Sequence, residues 1–288
     1  MNYLTYLVFR GFIFLFRFIP FRLVYGFADI IFCIVYYLAG YRKKVVFENL
    51  KHSFPGKSEK EINRIAKGFY HHFADMLVES LKAFTMTEDA VIRRYKFINT
   101  TFPDDFYKQG KQIICVAGHY GNWEWAGIAA GKQMLHKPVG FYKPLSNKYI
   151  DQYIQKTRVQ GRAKLASIVK TAETFKTDWG EPAAFYMVAD QSPSSVRLAY
   201  WVNFMNQDTA VLHGPEKYAR VHDYPVVFAS VKKIKRGFYT VDFKLLEANP
   251  VQTKTGEITG RFMKKLEEII NENPEYYLWS HRRWKLKR

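Results

Sequence analysis

The first 39 residues restrict the possible folds more than any other part of the chain. Met1 to Ala39 is almost wholly apolar and aromatic, and its few charges are Arg10, Arg17, Arg22 and Asp29. A membrane-spanning helix needs about 20 mostly apolar residues, and no signal-peptide cleavage site follows this run. The segment therefore predicts a retained helical anchor, either one spanning helix or a helical hairpin in the membrane interface. A buried core hairpin is the alternative.

The anchor prediction divides the chain at residue 40. Residues 1–40 form the membrane-anchoring segment, and we expect residues 41–288 to form a single domain, since that length supports a sizeable core. Arg42, Lys43 and Lys44 follow the apolar segment directly. By the positive-inside rule, these charges place the rest of the chain in the cytoplasm.

The charge of the chain indicates anionic partners. Lys and Arg number 44 against 26 Asp and Glu, which gives a net charge of +18. Nucleic acid, anionic membranes, phosphorylated molecules and acidic proteins all suit such a surface. No nucleic-acid-binding motif is present, and nucleic-acid binding would not explain the apolar N-terminus. We therefore expect no nucleic-acid partner.

The cysteines and histidines indicate neither a disulfide framework nor a metal site. Cys33 and Cys115 lie in different kinds of segment. His71 and His72 are adjacent, and neighbouring residues on a helix point about 100° apart, which makes a poor chelate. Cys115 lies in mid-strand between apolar neighbours, where a thiol is usually inert. We expect no metal ion and no cofactor.

Periodicity predicts an α/β fold, a mixed sheet flanked by helices. Ser58 to Glu61 is a capping box that opens a long amphipathic helix, whose apolar stripe we expect to be structural. Short apolar runs then indicate buried strands. These strands are Ile113–Ala117, Val139–Tyr142, Ala183–Ala189, and a hairpin of Val226–Ile234 with Phe238–Leu246. Further helices are predicted over Trp123–Leu135, Asn147–Gln160 and Glu257–Asn271.

A histidine follows the first of these strands, and a glutamate lies five residues after it. Ligand sites of open α/β sheets lie outside the carboxyl ends of strands, where His119 is placed. Glu124 near the helix start would fix the tautomer of His119 and stabilise its imidazolium. No Ser or Cys lies at a nucleophile elbow. The pattern predicts direct transfer, in which His119 deprotonates a hydroxyl that attacks a thioester carbonyl. By spacing alone, a purely structural histidine is the simpler interpretation.

Four blocks of sequence carry a family resemblance. They are His119 to Glu124 (HYGNWE), Tyr142-Lys143-Pro144 with Asn147 and Arg158, Ala189-Asp190-Gln191, and Asn273 to Trp284 (NPEYYLWSHRRW). With Asn49-Leu50 and Phe54-Pro55 upstream, they resemble the lipid A biosynthesis acyltransferases, the lauroyl and myristoyl transferases of Gram-negative bacteria. That family is similar to the wider glycerolipid and lysophospholipid acyltransferases, which share a His-x4-Asp/Glu motif. The resemblance spans nearly the whole chain.

The resemblance implies roles for particular residues. His119 and Glu124 become the catalytic pair. The substrate-binding residues become Arg158, Asp190, Asn122 and Gln191. Arg158 would bind a phosphate or stabilise an oxyanion, and Asp190 at its strand end would orient Arg158. The alternatives are a solvated helix face for Arg158 and a cap or turn role for Asp190.

The resemblance also implies partners and a location. The acyl donor would be an acyl carrier protein thioester, and the acceptor would be a hydroxyl of an anionic lipid A precursor. The enzyme would lie at the bacterial inner membrane with its catalytic domain facing the cytoplasm. Two alternatives stay open, namely another lipid acceptor (a lysophospholipid or an aminolipid) and an inactive lipid-binding homologue.

Two segments need separate predictions. Phe204 to Ala210 lacks the turn glycine and the proline that the family usually shows after its Asp-Gln strand. We expect this segment to shape the acceptor or acyl pocket, so the departure bears on substrate identity. His281 lies in a basic C-terminus, which is either a solvated tail or a contact for lipid phosphates.

Overall fold

The computed structural model describes residues 2–158 and 161–288, and the side chains of Arg158 and Leu198 lie outside the described part. The α-helices are α1 Asn2–Arg17, α2 Phe21–Cys33, α3 Lys43–Ser53, α4 Glu59–Ala83, α5 Glu88–Ile92, α6 Thr101–Lys108, α7 Ala126–Gln133, α8 Lys148–Arg158, α9 Thr171–Lys176, α10 Gly214–His222 and α11 Glu257–Glu272. The strands are β1 Tyr95–Ile98, β2 Ile113–Ala117, β3 Lys137–Tyr142, β4 Lys164–Ser167, β5 Ala183–Val188, β6 Ala199–Phe204, β7 Gln207–Leu212, β8 Val226–Lys235 and β9 Phe238–Glu247.

A seven-stranded mixed sheet forms the centre of the fold, in the order β1-β9-β8-β2-β5-β3-β4. The pair β8–β9 is antiparallel, and the other neighbours are parallel. In β2, Ile114 and Val116 join the core cluster that contains residues of α4 and α11, whereas Ile113 and Cys115 join the cluster that contains residues of α7. Side chains of a strand alternate between faces, so β2 is covered on both sides. The predicted α/β fold with a mixed sheet is confirmed.

Most predicted elements have the expected bounds. The β8–β9 hairpin turns at Gly237, whose φ of 73° suits glycine, and the capping box of α4 is present in full. The helix predicted from Trp123 begins only at Ala126. The Asn122 side-chain oxygen accepts the Trp125 N–H at 3.1 Å, and this contact holds residues 122–125 in a turn.

The N-terminal segment is a helical hairpin packed on α4. Pro20 separates α1 from α2, and a π-helical turn, Ile34–Leu38, follows α2. One face of the hairpin is buried, through Phe16, Val24, Ala28 and Phe32. Its other face exposes large apolar side chains, among them Leu4, Leu15, Phe18, Leu23, Phe27 and Ile30. Within the described residues, one helix, Phe21–Leu38, is long and apolar enough to cross a membrane. The segment is therefore a candidate membrane anchor whose buried face packs against α4.

The segment that departs from the family pattern forms the turn between β6 and β7. Met205 and Asn206 adopt positive φ of 52° and 62°, so they supply the left-handed conformations without a glycine. The turn is held by Asn206, which donates to the Ser53 carbonyl at 3.0 Å, and by the Met205 N–H, which donates to Glu267. None of residues 204–210 lines the cavity of about 360 Å³ that is described below. The prediction that this segment shapes a pocket is therefore wrong for that cavity.

Candidate active site

The parallel pairing of β2 with β5 brings His119 and Asp190 together. Ala117 lies opposite Val188 in the register, so both chains leave the sheet at the same edge. The Nδ1 atom of His119 lies 2.6 Å from Oδ1 of Asp190. Because a carboxylate only accepts hydrogen bonds, this contact assigns the proton to Nδ1 and leaves the Nε2 lone pair as the basic site.

Charge balance around His119 favours its protonated form. Burial opposes a charge on the ring, but the Asp190 carboxylate, its hydrogen bond and the Glu124 charge outweigh burial, so the pKa of His119 is raised. Burial likewise opposes ionisation of Asp190, yet His119 and Arg283 hold the pKa of Asp190 below its ordinary value. Asp190 therefore stays ionised while His119 is poised to take a proton.

Gln191 covers the basic nitrogen of His119. Its side-chain nitrogen lies 3.1 Å from His119 Nε2, which is a donor–acceptor contact when Nε2 is unprotonated. The Trp123 ring meets the imidazole edge to face, with the ring centroids 5.0 Å apart. An acceptor hydroxyl that approaches Nε2 must therefore replace the Gln191 amide.

A cavity of about 360 Å³ adjoins Gln191 and Trp123. Its lining comprises Tyr41, Arg42, Phe69, His72, Phe73, Met76, Leu77, Ser80, Trp123, Glu124, Gln191, Tyr276, Tyr277, Leu278, Ser280 and His281. Phe69, Phe73, Met76 and Leu77 of the α4 stripe belong to this lining, and the structural role of the stripe stays a prediction. A cavity that combines apolar side chains with polar ones is typical of a site for a small molecule.

The C-terminal block holds the catalytic loop in place. The Leu278 N–H donates to the His119 carbonyl at 3.1 Å, and the Gly121 N–H donates to the Tyr276 carbonyl at 3.0 Å. The Asn49 side chain donates to the carbonyls of Trp279 and His281, both at 2.9 Å. The upstream and C-terminal family blocks therefore meet the histidine block in space.

His281 is not part of a solvated tail. Its Nε2 accepts the Ser192 N–H at 3.2 Å, and the residue lines the cavity instead of extending into solvent. Burial lowers the pKa of His281 to about 4, so the ring is neutral near pH 7. A contact of His281 with lipid phosphates or headgroups would therefore involve the neutral ring, and it stays a prediction.

Two glycines beside the histidine are required by packing. Gly121 has a φ of 62°, and a Cβ there would lie 2.8 Å from a Val231 methyl. A Cβ at Gly118 would lie 2.5 Å from a Leu266 methyl. The close approach of β8 at Gly121 and of α11 at Gly118 therefore leaves no room for a larger side chain at either position.

A polar stripe on α4 supports the loop from behind. His72, Asp75, Glu79 and Lys82 follow the spacing i, i+3, i+7, i+10, which places them on one face of the helix. Burial lowers the pKa of His72 to about 3, so the neutral ring donates from Nε2 to the Gly121 carbonyl at 3.2 Å. Asp75 pairs with Lys233 and Arg236. The sequence analysis missed this stripe, although four polar residues at helical spacing were its signal.

Asn122 lies behind the site. Its side chain is fully buried, its Nδ2 donates to Glu79 at 2.7 Å, and its Oδ1 accepts the Trp125 N–H. Both ends of the amide are thus used inside the protein, so the structure leaves no surface of Asn122 for the predicted substrate contact.

The remaining predicted residues have distinct placements. Asp190 makes the Nδ1 contact that the sequence prediction assigned to Glu124, and Glu124 lines the cavity. Arg158 is the last residue of α8, and its side chain lies outside the described residues. Cys115 is fully buried, and burial raises the pKa of its thiol to about 12, which excludes it as a nucleophile. No group of three or more His, Cys, Asp or Glu in the described residues is arranged to hold a metal ion.

A histidine that can accept a proton, beside a cavity with apolar and polar side chains, fits the class of transferases that move an acyl chain to a hydroxyl. Comparison with known proteins narrows that class. The chain belongs to the bacterial lipid A biosynthesis acyltransferase family, whose model matches residues 1–286. Membership supports acyl transfer to a lipid A precursor.

Three known proteins are similar to this chain at low sequence identity. The chain is 25% identical to a lipid A biosynthesis lauroyltransferase of Escherichia coli (strain K12) over 254 residues, which covers 85% of this chain and 80% of the relative. It is 21% identical to a lipid A biosynthesis palmitoleoyltransferase of the same organism over 253 residues, which covers 85% and 79%. A lipid A biosynthesis acyltransferase of Shigella flexneri matches to the same extent.

Proposed function

We propose that this protein transfers a fatty acyl chain from an acyl carrier protein thioester to a hydroxyl of a lipid A precursor, with His119 as the general base. The observation that carries the proposal is the 2.6 Å contact between His119 Nδ1 and Asp190, which leaves Nε2 as the basic nitrogen, in contact with Gln191 of the cavity lining. Family membership supplies the acyltransferase class.

The reaction needs one proton to move twice. His119 Nε2 takes the proton of the acceptor hydroxyl as its oxygen attacks the thioester carbonyl. The carbon–sulfur bond then breaks, and the imidazolium returns the proton to the leaving thiolate, which gives an ester and a free thiol. Asp190 stabilises the imidazolium, and the Glu124 charge acts in the same direction.

Arg283 balances the buried charge of Asp190. Its side chain is 1% exposed, and its charge helps to keep Asp190 ionised. Asp190 therefore takes the role of the residue that orients the base, which replaces the predicted role of orienting Arg158. We keep Arg158 as a proposed phosphate or oxyanion contact, because Arg158 belongs to the second of the four blocks that resemble the family.

The proposed location is the cytoplasmic face of the bacterial inner membrane. The exposed apolar face of the N-terminal hairpin supports membrane attachment, and Arg42, Lys43 and Lys44 support the cytoplasmic orientation. We keep residues 1–40 as the membrane-facing segment and residues 41–288 as the catalytic domain. The basic surface suits both an acidic carrier protein and an anionic lipid.

An assay that combines different acyl donors with different lipid acceptors tests this function. Purified protein is incubated with labelled acyl chains on acyl carrier protein or coenzyme A, and with a lipid A precursor, a lysophospholipid or an aminolipid as acceptor. We expect transfer chiefly from the carrier protein to the lipid A precursor. Preferred transfer to either other lipid would show a different acceptor, and no transfer in any combination would show an inactive lipid-binding homologue.

A further inference from the structure

We propose that Glu79 is a positioning residue for the reaction, and that Tyr25 of the N-terminal hairpin completes the same device. The inference rests on the proposed function, because it concerns the loop that carries His119. It links the membrane-facing segment to the geometry of the active site.

Glu79 receives hydrogen bonds from three separate parts of the fold. Its Oε1 accepts the Tyr25 hydroxyl of α2 at 2.9 Å. Its Oε2 accepts the Asn122 amide of the catalytic loop at 2.7 Å and the Tyr239 hydroxyl of β9 at 2.8 Å. The side chain is completely buried. Hairpin, loop and sheet are therefore joined at one carboxylate.

Glu79 acts on the base through the loop. It does not line the cavity in the described residues, and its contact with the site is Asn122, three positions after His119. The Glu79 carbonyl also accepts the Trp125 indole N–H at 3.1 Å. A shift of this carboxylate would therefore displace the turn at residues 122–125, and with it the cavity wall at Trp123.

The charge of Glu79 is finely balanced. Burial raises its pKa to about 7, whereas the hydroxyls of Tyr239 and Tyr25 and the charge of Lys233 act to lower it, and the charge of Asp75 acts to raise it. The ionised form is the one that accepts all three donors at once. Loss of one donor must therefore raise the pKa of Glu79 and favour the neutral form near pH 7.

Tyr25 connects this balance to the membrane-facing surface. The same helix exposes Leu23, Phe27 and Ile30 on its outer face, each close to half exposed or more. On the neighbouring turn of α4, the Lys82 amine donates to the carbonyls of Phe16, Arg17 and Ile19 near the end of α1. The hairpin is thus fixed to α4 at two adjacent points. Withdrawal of the hairpin would remove a donor from Glu79 and loosen the catalytic loop.

The test compares Tyr25→Phe with Tyr37→Phe, a hairpin control whose ring is 57% exposed. Full-length protein is assayed by acyl transfer across pH. We expect Tyr25→Phe to lower kcat by roughly tenfold with little change in KM, since a hydrogen bond to a charged group is lost. The fall in activity at acid pH should move to higher pH, because activity needs ionised Glu79. Membrane binding should stay near wild type, Tm should fall by only a few degrees because one buried hydrogen bond is lost, and Tyr37→Phe should behave as wild type.

Two further variants make the test decisive. Glu79→Gln should lower kcat more than Tyr25→Phe, because an amide nitrogen then faces a donor. If Tyr25→Phe does not fold, Tyr239→Phe removes a different donor and should give the same shift of the pH profile. Wild-type kcat and pH profile in a folded Tyr25→Phe or Tyr239→Phe protein would overturn the inference. Failure of the proposed function would appear separately, as wild-type protein without transfer activity.

Discussion

Replacement of Asp190 by Asn tests the pair at the centre of the site. The 2.6 Å contact to His119 is lost as a charge-assisted bond, which is worth about 1.5–3 kcal/mol. At about 1.4 kcal/mol per tenfold, the bond alone accounts for roughly 10- to 150-fold in rate. An amide that donates to Nδ1 would also force the proton onto Nε2, the wrong tautomer for a base. We therefore expect kcat to fall by about 10²–10⁴-fold.

Asp190→Asn should also shift the pH dependence of activity in a defined direction. In the wild type, the pKa of His119 is raised mainly by Asp190 against the effect of burial, so activity should fall as pH drops through that raised value. Asp190→Asn should move the acid limb to lower pH while the maximum rate collapses. The assay is steady-state acyl transfer from pH 5 to 9, with Glu124→Gln as the matched control. That control removes a nearby charge but keeps the contact of Asp190 with His119 Nδ1, so its kcat should fall less than that of Asp190→Asn. Wild-type kcat in Asp190→Asn would refute the reasoning.

Substitutions at three other positions, with a control at Val221, test separate predictions. Cys115→Ala should change kcat by less than about twofold, because a buried neutral thiol is not a nucleophile; a large loss of kcat without a loss of Tm would contradict this in the same assay. Arg158→Ala should lower activity, and Arg158→Lys should also be impaired because lysine lacks the planar guanidinium; wild-type kinetics for both would make Arg158 a surface residue. Leu15→Glu on the exposed hairpin face should reduce binding to anionic vesicles in high salt, whereas Val221→Glu on α10 should not; equal binding of both proteins in a flotation assay would contradict the attachment proposal.

The sequence predicted the sheet and most of its strands because buried parallel strands are continuous apolar runs. Ile113–Ala117 has the bounds that its run indicated. The order β2-β5 joins strands that are far apart in sequence, and periodicity carries no information about such neighbours. For that reason the contact of Asp190 with His119 was not predicted, even though both residues were placed at strand ends.

Local spacing did not predict Asp190 as the Nδ1 partner of His119, nor the partners of Asn122. A glutamate five residues after a histidine suggests a helix that turns the carboxylate back, but α7 starts at Ala126, later than expected. Asn122, three residues after the histidine, suggests a substrate contact, yet its side chain donates to Glu79 on α4. Only the packing of α4 under the loop, a tertiary feature, decides which polar side chains face the cavity.

The C-terminal block shows the same limit. Its many basic residues suggest a solvated or lipid-binding tail, whereas Trp279 and Arg283 are almost completely buried. The block pairs with the loop that carries His119 through an isolated antiparallel β-bridge between Tyr120 and Tyr277. Composition cannot distinguish an arginine that balances a buried aspartate from one that lies in solvent.

The most direct test of the central claim is acyl transfer by His119→Ala. Labelled acyl chains are supplied on acyl carrier protein to a purified lipid A precursor, and the variant is first shown to retain the wild-type Tm and membrane binding. Removal of a general base typically costs about 10²–10⁴-fold in rate, or roughly 3–5 kcal/mol of barrier. We expect the kcat of His119→Ala to fall by that amount. Near-full turnover in the folded variant would contradict it.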